Sequence, residues 1–169
     1  MRIHAARVSH IAETMIRRLK SDGDIECESD REAILDVEAV LNQYIQDEQA
    51  ITDKARDLLA SRGLPGSELG KMRRLVADQR QIKIGDEAID YLLNQLVEML
   101  LYSNNIDEVF ADDLTLRRKL REPLRAEAAV EQDLQQAVRG QLKHVQEGTS
   151  MWEVEYHRMM EDIRRRKGL

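Results

Sequence analysis

The apolar residues of this chain run through the same series twice. In the first copy they recur at spacings of three and four residues between Ala5 and Lys20, which places them on one face of a helix. The second copy begins 81 positions later and matches the first residue for residue in apolar character. The two sets are Val8, Ile11, Ala12, Met15, Ile16 and Leu19, and Ile89, Leu92, Leu93, Leu96, Val97 and Leu100. We therefore predict a tandem repeat, with helical units at residues 1–84 and 85–169 that pack together as one compact body.

The first unit continues with signals that define its later elements. Residues 25–28 alternate in polarity over a run too short for a helix, which permits one short strand or an extended link. Ser29 and Glu32 have the spacing of a capping box, and about thirty residues without glycine or proline follow them. These features predict one long helix up to Gly63, with a break near Asp47 as the alternative. A shorter third helix is predicted after this glycine hinge.

The second unit repeats this order of elements. Asp112 or Asp113 is predicted to cap its long helix, because a carboxylate there can accept the free backbone N–H groups of the first turn. Pro123 is predicted to kink that helix, because proline removes one intrahelical donor and clashes with the preceding turn. Ser150 and Glu153 form a second capping box, which predicts the start of the final helix.

An all-α fold follows, with about three helices in each unit. Only two prolines and eight glycines interrupt the chain, and its commonest residues are good helix formers. The helix over Ile89–Leu101 is apolar on nearly all sides, so we expect it to be almost fully buried, with the two units packed through their first helices in pseudo-two-fold symmetry. The links at residues 24–27 and 105–109 occupy equivalent places, and we expect them to pair as a tiny antiparallel ribbon.

Composition limits the classes of function. The net charge of −6 works against general attraction to nucleic acid or to an anionic membrane. No apolar run approaches the roughly 18 residues that a bilayer span requires, so we expect no membrane partner. The first ten residues lack the apolar core of a secretory signal, which predicts a cytoplasmic location. Cys27 is the only cysteine, so an intramolecular disulfide is impossible.

Two motifs near the ends of the chain resemble a known family. The first begins at Arg7 and reads R-V-S-H-I-A-x-x-M-I-x-x-L-K-x-D-G. The second begins at Gly148 and reads G-T-S-x-W-E-x-x-Y-H-x-M-x-x-D-x-x-R-R-x-G. Together they resemble the bacterial domain-of-unknown-function family 507 over nearly the whole chain. The resemblance implies a small, helical, cytoplasmic bacterial protein, and it implies no activity.

Residues that often carry catalysis or bind metals do not form a recognisable set. Glu153 and His157 share a helical face, but two ligands do not make a metal site. Ser9 and His10 are adjacent and so point to different sides of a helix. Cys27 lies among acidic residues, which oppose formation of the thiolate. We expect neither an enzyme nor a bound cofactor.

The final helix carries a stripe of methionine and aromatic residues. Flexible methionines suit a surface that repacks around another helix, so this stripe is a candidate partner surface. Packing against the long helix of the second unit is the alternative, and the spacing favours it. The residues are Trp152, Tyr156, Met159 and Met160.

The chain ends in a basic segment that is a candidate phosphate-binding site, Arg164, Arg165, Arg166 and Lys167. The alternative is solvated charge that complements the dipole at the end of a helix. Arginine doublets recur along the chain and could also grip phosphates if the repeats align them. They stand at Arg17-Arg18, Arg73-Arg74, Arg117-Arg118 and Arg164-Arg165.

We conclude from the sequence that the chain is a non-enzymatic interaction module, which binds a protein partner or a second copy of itself. The alternative is binding of RNA or a ribonucleoprotein through the arginine doublets and the basic end. RNA binding usually adds exposed aromatic residues for stacking. Tyr91, Phe110 and Trp152 lie in apolar patterns, so we expect them to be buried.

Overall fold

Periodic apolar residues between polar turns produce the six helices of the structure, a computed structural model that describes residues 3–169. The helices are α1 (Val8–Ser21), α2 (Asp30–Arg62), α3 (Leu69–Gln79), α4 (Ala88–Tyr102), α5 (Asp113–Gln141) and α6 (Ser150–Lys167). The strands β1 (Ile25–Glu26) and β2 (Glu108–Val109) are the only ones in this part of the chain. The fold is all-α, as the sequence predicts, and the order of elements in the first half is the same as in the second.

Side-chain oxygens cap the two long helices where the sequence indicates. Ser29 Oγ accepts the backbone N–H of Glu32 at 3.3 Å, and α2 then continues without a break to a left-handed Gly63. Asp112 caps α5 by accepting the N–H of Thr115 at 2.7 Å. Helix α5 continues through Pro123 as one helix, and the kink at this residue stays a prediction.

The cap of α6 lies one residue earlier than expected. Thr149, not Ser150, has the extended backbone of an N-cap, and its Oγ accepts the N–H of Trp152 at 3.2 Å. Ser150 is the first helical residue. Two adjacent hydroxyl residues offer the same chemistry, and the backbone of the preceding turn decides which of them becomes the cap.

The two links do pair as a small ribbon. β1 and β2 are antiparallel, with Ile25 opposite Val109 and Glu26 opposite Glu108. The backbone N–H of Phe110 extends the pairing by donating to the carbonyl of Asp24 at 2.8 Å. The ribbon therefore joins the two halves of the chain at one end of the helices.

The main contacts between the halves differ from the expectation. Helix α1 packs on α2 of its own half and on α5 of the other, while α4 packs on α5 of its own half and on α2 of the other. Each first helix therefore lies against both long helices, and the two first helices are not the main contact. Long helices offer longer apolar seams than a second short helix would, which favours this reciprocal arrangement.

The apolar residues form one large core and one smaller cluster. The large core contains α1, α2, α3, α4 and the first part of α5. The smaller cluster lies between the end of α5 and α6, with Leu134, Val138, Leu142, Tyr156 and Met160 at its centre. Helix α6 packs mainly on α5, and its buried apolar residues belong to the smaller cluster.

Burial of α4 is less complete than the sequence suggests. Its inward residues, such as Leu92 and Leu96, are fully buried, but Leu101 is 58% exposed. Tyr102, the last residue of the helix, is 79% exposed. Helix α4 packs mainly on α2 and α5, and this packing leaves the side chain of Leu101 more than half exposed.

Two leucines on one helix test the assignment of the core. Leu120 is 1% exposed and Leu114 is 77% exposed, both on α5. We expect Leu120→Ala to lower the free energy of unfolding by about 2–5 kcal/mol, because it leaves a cavity in the core. Leu114→Ala is the matched control and should change it by less than about 0.5 kcal/mol. Urea denaturation measures both, and equal losses would contradict the assignment.

Candidate interaction surface

Four large apolar side chains are exposed around the ribbon end of α4 and α5. Nine such side chains are exposed in the described part of the chain, so nearly half of them lie in this one region. We call them the apolar patch. They are Leu101 at 58%, Tyr102 at 79%, Phe110 at 62% and Leu114 at 77% exposure.

Contacts between α4 and α5 place Leu101 and Leu114 on one side of the helix pair. Arg121 donates to Asp90 at 2.6 Å, and Arg117 donates to Asn94 at 2.6 Å, so the two helices run antiparallel with these faces opposed. Leu101 lies seven residues after Asn94 on the same face of α4, and Leu114 lies three residues before Arg117 on the same face of α5. The two leucines therefore continue this line of contacts towards the ribbon, where Phe110 follows β2.

The corresponding positions of the first half are not apolar and exposed. Leu101 and Tyr102 end α4, whereas the last two residues of α1 are Lys20 and Ser21. Leu114 is the second residue of α5, and the second residue of α2 is Arg31. Two residues before the helix cap, Phe110 is exposed where Cys27 is 5% exposed. The fold therefore forms one such end without exposed apolar side chains, so they are not a requirement of the architecture.

The segment that carries the apolar patch is acidic. The segment from residue 98 to residue 116 contains five carboxylates and no lysine, arginine or histidine. Two of these carboxylates have a structural role, since Asp112 caps α5 and Asp113 pairs with Arg117 at 2.7 Å. The remaining three are exposed and form no ion pair with any residue in the described range. They are Glu98, Asp107 and Glu108.

The stripe on α6 faces inward. Tyr156 and Met160 are buried against α5, and Trp152 and Met159 are partly buried beside them. The indole of Trp152 stacks on the ring of Tyr156 with 4.7 Å between the centroids. The expectation of a partner surface is therefore wrong for Tyr156 and Met160, because these side chains form the smaller apolar cluster.

Burial also corrects the candidate phosphate site. Arg164 is 7% exposed, and its guanidinium pairs with Glu131 of α5, so it cannot reach a ligand without breaking that pair. Arg165, Arg166 and Lys167 are exposed, and none of them forms an ion pair within residues 3–169. The candidate phosphate site is thus reduced from four basic residues to these three.

Two buried glutamates separate the large core from the smaller cluster. Glu127 is 5% exposed and Glu131 is 4% exposed on the seam of α5. Arg7 reaches Glu127 at 3.2 Å, and Arg164 pairs with Glu131. Their burial is not expected from the sequence, because glutamate is almost never fully buried unless it is paired. The spacing of the seam from Leu124 to Leu134 could have shown that it passes through both positions.

Arginine doublets contribute to helix packing rather than to one basic face. Arg18 pairs with Glu122, and Arg73 pairs with Glu48 at 3.2 Å. Arg117 and Arg164 are also engaged, as described above. In every doublet at least one guanidinium is therefore neutralised by a carboxylate of the chain itself.

The other residues considered for metal binding do not come together in the described part of the chain. Among the described residues, no three His, Cys, Asp or Glu side chains converge so as to hold a metal ion. His157 lines a small open cavity of about 150 Å³ with Glu131 and Arg164, at the side of α6. No helix within residues 3–169 has the length and apolar character needed to cross a membrane.

Cys27 is a poor nucleophile in this environment. Burial raises the pKa of its thiol, and the carboxylate of Asp30 raises it further, against the opposing effect of Lys20. Burial is therefore the main cause, and the carboxylates that contribute are Asp30 and Asp107 rather than the acidic residues next to Cys27 in the sequence.

The buried pair of Arg164 and Glu131 allows a sharp test of how α6 is held. We expect Arg164→Met to lower the free energy of unfolding by about 3–5 kcal/mol, because it leaves the Glu131 carboxylate buried without a partner. Urea unfolding followed by Trp152 fluorescence measures the loss, since this is the only tryptophan and it lies in α6.

Matched variants complete this test. Arg165→Met changes the exposed neighbour and should alter the free energy by less than about 0.5 kcal/mol. Replacing both partners, with Glu131→Leu and Arg164→Met, should recover most of the loss, because no charge is then buried alone. A double variant as unstable as Arg164→Met would contradict this explanation.

Thiol labelling tests the assignment of Cys27. We expect an aromatic disulfide reagent to react about tenfold or more slowly with the native protein than with the protein in urea, because burial blocks access and disfavours the thiolate. The release of the aromatic thiolate measures the rate at a single site, since no other cysteine is present. Equal rates in the two states would show that Cys27 is accessible and would contradict its burial.

Comparison with known proteins establishes the family of the chain. No curated protein matches it. A family model described as a protein of unknown function, DUF507, matches residues 1–169. This match confirms the resemblance that the two terminal motifs indicate. The chain therefore belongs to the DUF507 family of proteins of unknown function.

Proposed function

We propose that this chain is a non-enzymatic helical interaction protein of the cytoplasm, and that it acts as an adaptor or assembly module by binding another protein. We also propose that its halves are two copies of one unit, of which the second carries the binding surface. The charged residues support a non-enzymatic role. The ion pairs that join different helices, such as Arg18 with Glu122 and Arg164 with Glu131, contribute to helix packing.

The observation that carries the proposal is the apolar patch. Its four exposed side chains belong to the end of α4, the link after β2 and the start of α5, and the corresponding positions of the first half are polar or buried. Contiguous exposed apolar groups are unfavourable in water and commonly mark protein interaction sites. A chain that forms the same end without them has no structural need for them, so a binding role is the simplest physical explanation.

Binding of RNA or a ribonucleoprotein is the alternative, and two observations favour it. Arg165, Arg166 and Lys167 are exposed and carry no carboxylate partner in the described chain. Phe110, expected to be buried, is 62% exposed and could stack on a base. However, the carboxylates around Phe110 would repel a phosphate backbone, and the arginine doublets are engaged internally. We therefore prefer a protein partner.

Partner capture with matched variants tests the proposal. The bait is the full chain in a native bacterial extract, fixed by a short crosslinker and analysed by mass spectrometry. We expect the wild-type protein to capture a partner, and we expect Tyr102→Ser with Leu114→Ser to lose it, because truncation of central apolar anchors weakens binding by about tenfold or more. Light scattering of the purified protein reports self-association.

The control replaces the two exposed apolar residues of α6, Met151→Ser with Val154→Ser. These side chains are 69% and 66% exposed, so the change in exposed apolar surface is similar. The control should keep the partner. Failure of the wild-type protein to capture any protein, together with a monomer by light scattering, would overturn the proposed function. Retention of RNA alone at low salt would favour the alternative.

A further inference from the structure

We propose that the apolar patch binds a basic amphipathic helix of a partner protein, with apolar anchors on the patch and lysine or arginine at its borders. This inference rests on the proposed function and adds the chemistry of the partner to it. It combines two observations, the exposure of the four apolar side chains and the sign of the charge around them.

The shape of the surface suits a helix. Leu101 and Leu114 project from two antiparallel helices beside their line of contact, so an apolar ridge laid along this line can touch both. Tyr102 ends α4 next to Leu101, and Phe110 follows β2, so both add exposed apolar area at this end of the helix pair. A helix offers such a ridge through apolar residues at spacings of three and four.

Charge selects the partner. The exposed carboxylates of Glu98, Asp107 and Glu108 have no ion-pair partner in residues 3–169, and no basic residue occurs between residues 98 and 116. Arg118 is the nearest exposed cation after this segment, and its field acts on Asp112 and Glu122. Unpaired carboxylates around an apolar centre attract lysine and arginine, and they speed association with a basic segment.

The same charge disfavours the other occupants. Two copies that met through this patch in a symmetric dimer would bring identical carboxylates together, which costs binding energy. An RNA or an anionic membrane surface would meet the same repulsion. Helix α6 of a second copy is basic at its end, but its apolar residues Tyr156 and Met160 are already buried against α5 of their own chain. They are therefore not available to bind the patch.

Binding of synthetic helices tests the inference. The probe is a fluorescein-labelled peptide of about 18 residues, roughly five helical turns, with leucine on one face and lysine on the other. One comparison peptide replaces lysine by glutamate, and another scrambles the lysine peptide so that it has no apolar face. Fluorescence anisotropy with the full-length protein measures each affinity.

We expect the lysine amphipathic peptide to bind most tightly. Tyr102→Ser with Leu114→Ser should weaken it by about tenfold or more, while Met151→Ser with Val154→Ser should leave it unchanged. Asp107→Asn with Glu108→Gln should weaken binding at low salt and reduce its dependence on salt, because exposed charges are screened within about 10 Å at 0.1 M salt.

Several results would overturn the inference. Equal binding of the glutamate peptide, equal binding of the scrambled peptide, or no effect of the patch variant would each do so. A dimer that the patch variant abolishes, without peptide binding, would assign the patch to a second copy. Binding of a labelled uridine oligomer through the patch would assign it to RNA. Capture of a partner that ignores the patch variant would overturn the inference alone, whereas capture of no partner would overturn the proposed function.

Discussion

Reciprocal packing of two short helices against two long ones is the constraint on which the rest of this structure depends. Because α1 and α4 each lie against both α2 and α5, neither half can bury its first helix alone. The contacts of Lys119 with Asp22 and Asp24, and the pair of Arg18 with Glu122, join α5 to the end of α1. Those contacts fix the ribbon at one end of the helices and therefore fix where the patch lies.

Helix α5 extends beyond the large core, whereas the buried residues of α2 all belong to it. Beyond its contact with α1 and α4, α5 needs another apolar cover, and α6 supplies it through the smaller cluster. Glu127 and Glu131 mark the transition, since a charged seam position is stable in the interior only when an arginine compensates it. The motif near the end of the chain therefore has a structural role, because its Trp152 and Tyr156 form the stacked pair that covers α5.

Local patterns were sufficient to predict the elements. The spacing of Val8, Ile11 and Leu19 predicted α1, and the absence of breakers after Ser29 predicted α2 as one helix. The ribbon followed from the equivalent places of the two links. Periodicity shows which face of a helix is apolar, but it does not show whether another element covers that face. The exposure of Leu101 and Phe110, and the burial of Arg164, depended on packing and were therefore missed.

The central claim is that the ribbon end of α4 and α5 is a binding surface for a basic helix. Hydrogen–deuterium exchange of the full-length protein, with and without the lysine amphipathic peptide, tests it most directly, because it locates contact along the whole backbone. We expect slower exchange in the presence of peptide, confined to the segment from residue 98 to residue 116 and the adjoining turns of α4 and α5. Slower exchange confined to α6 and the basic end, or no change anywhere, would contradict the claim.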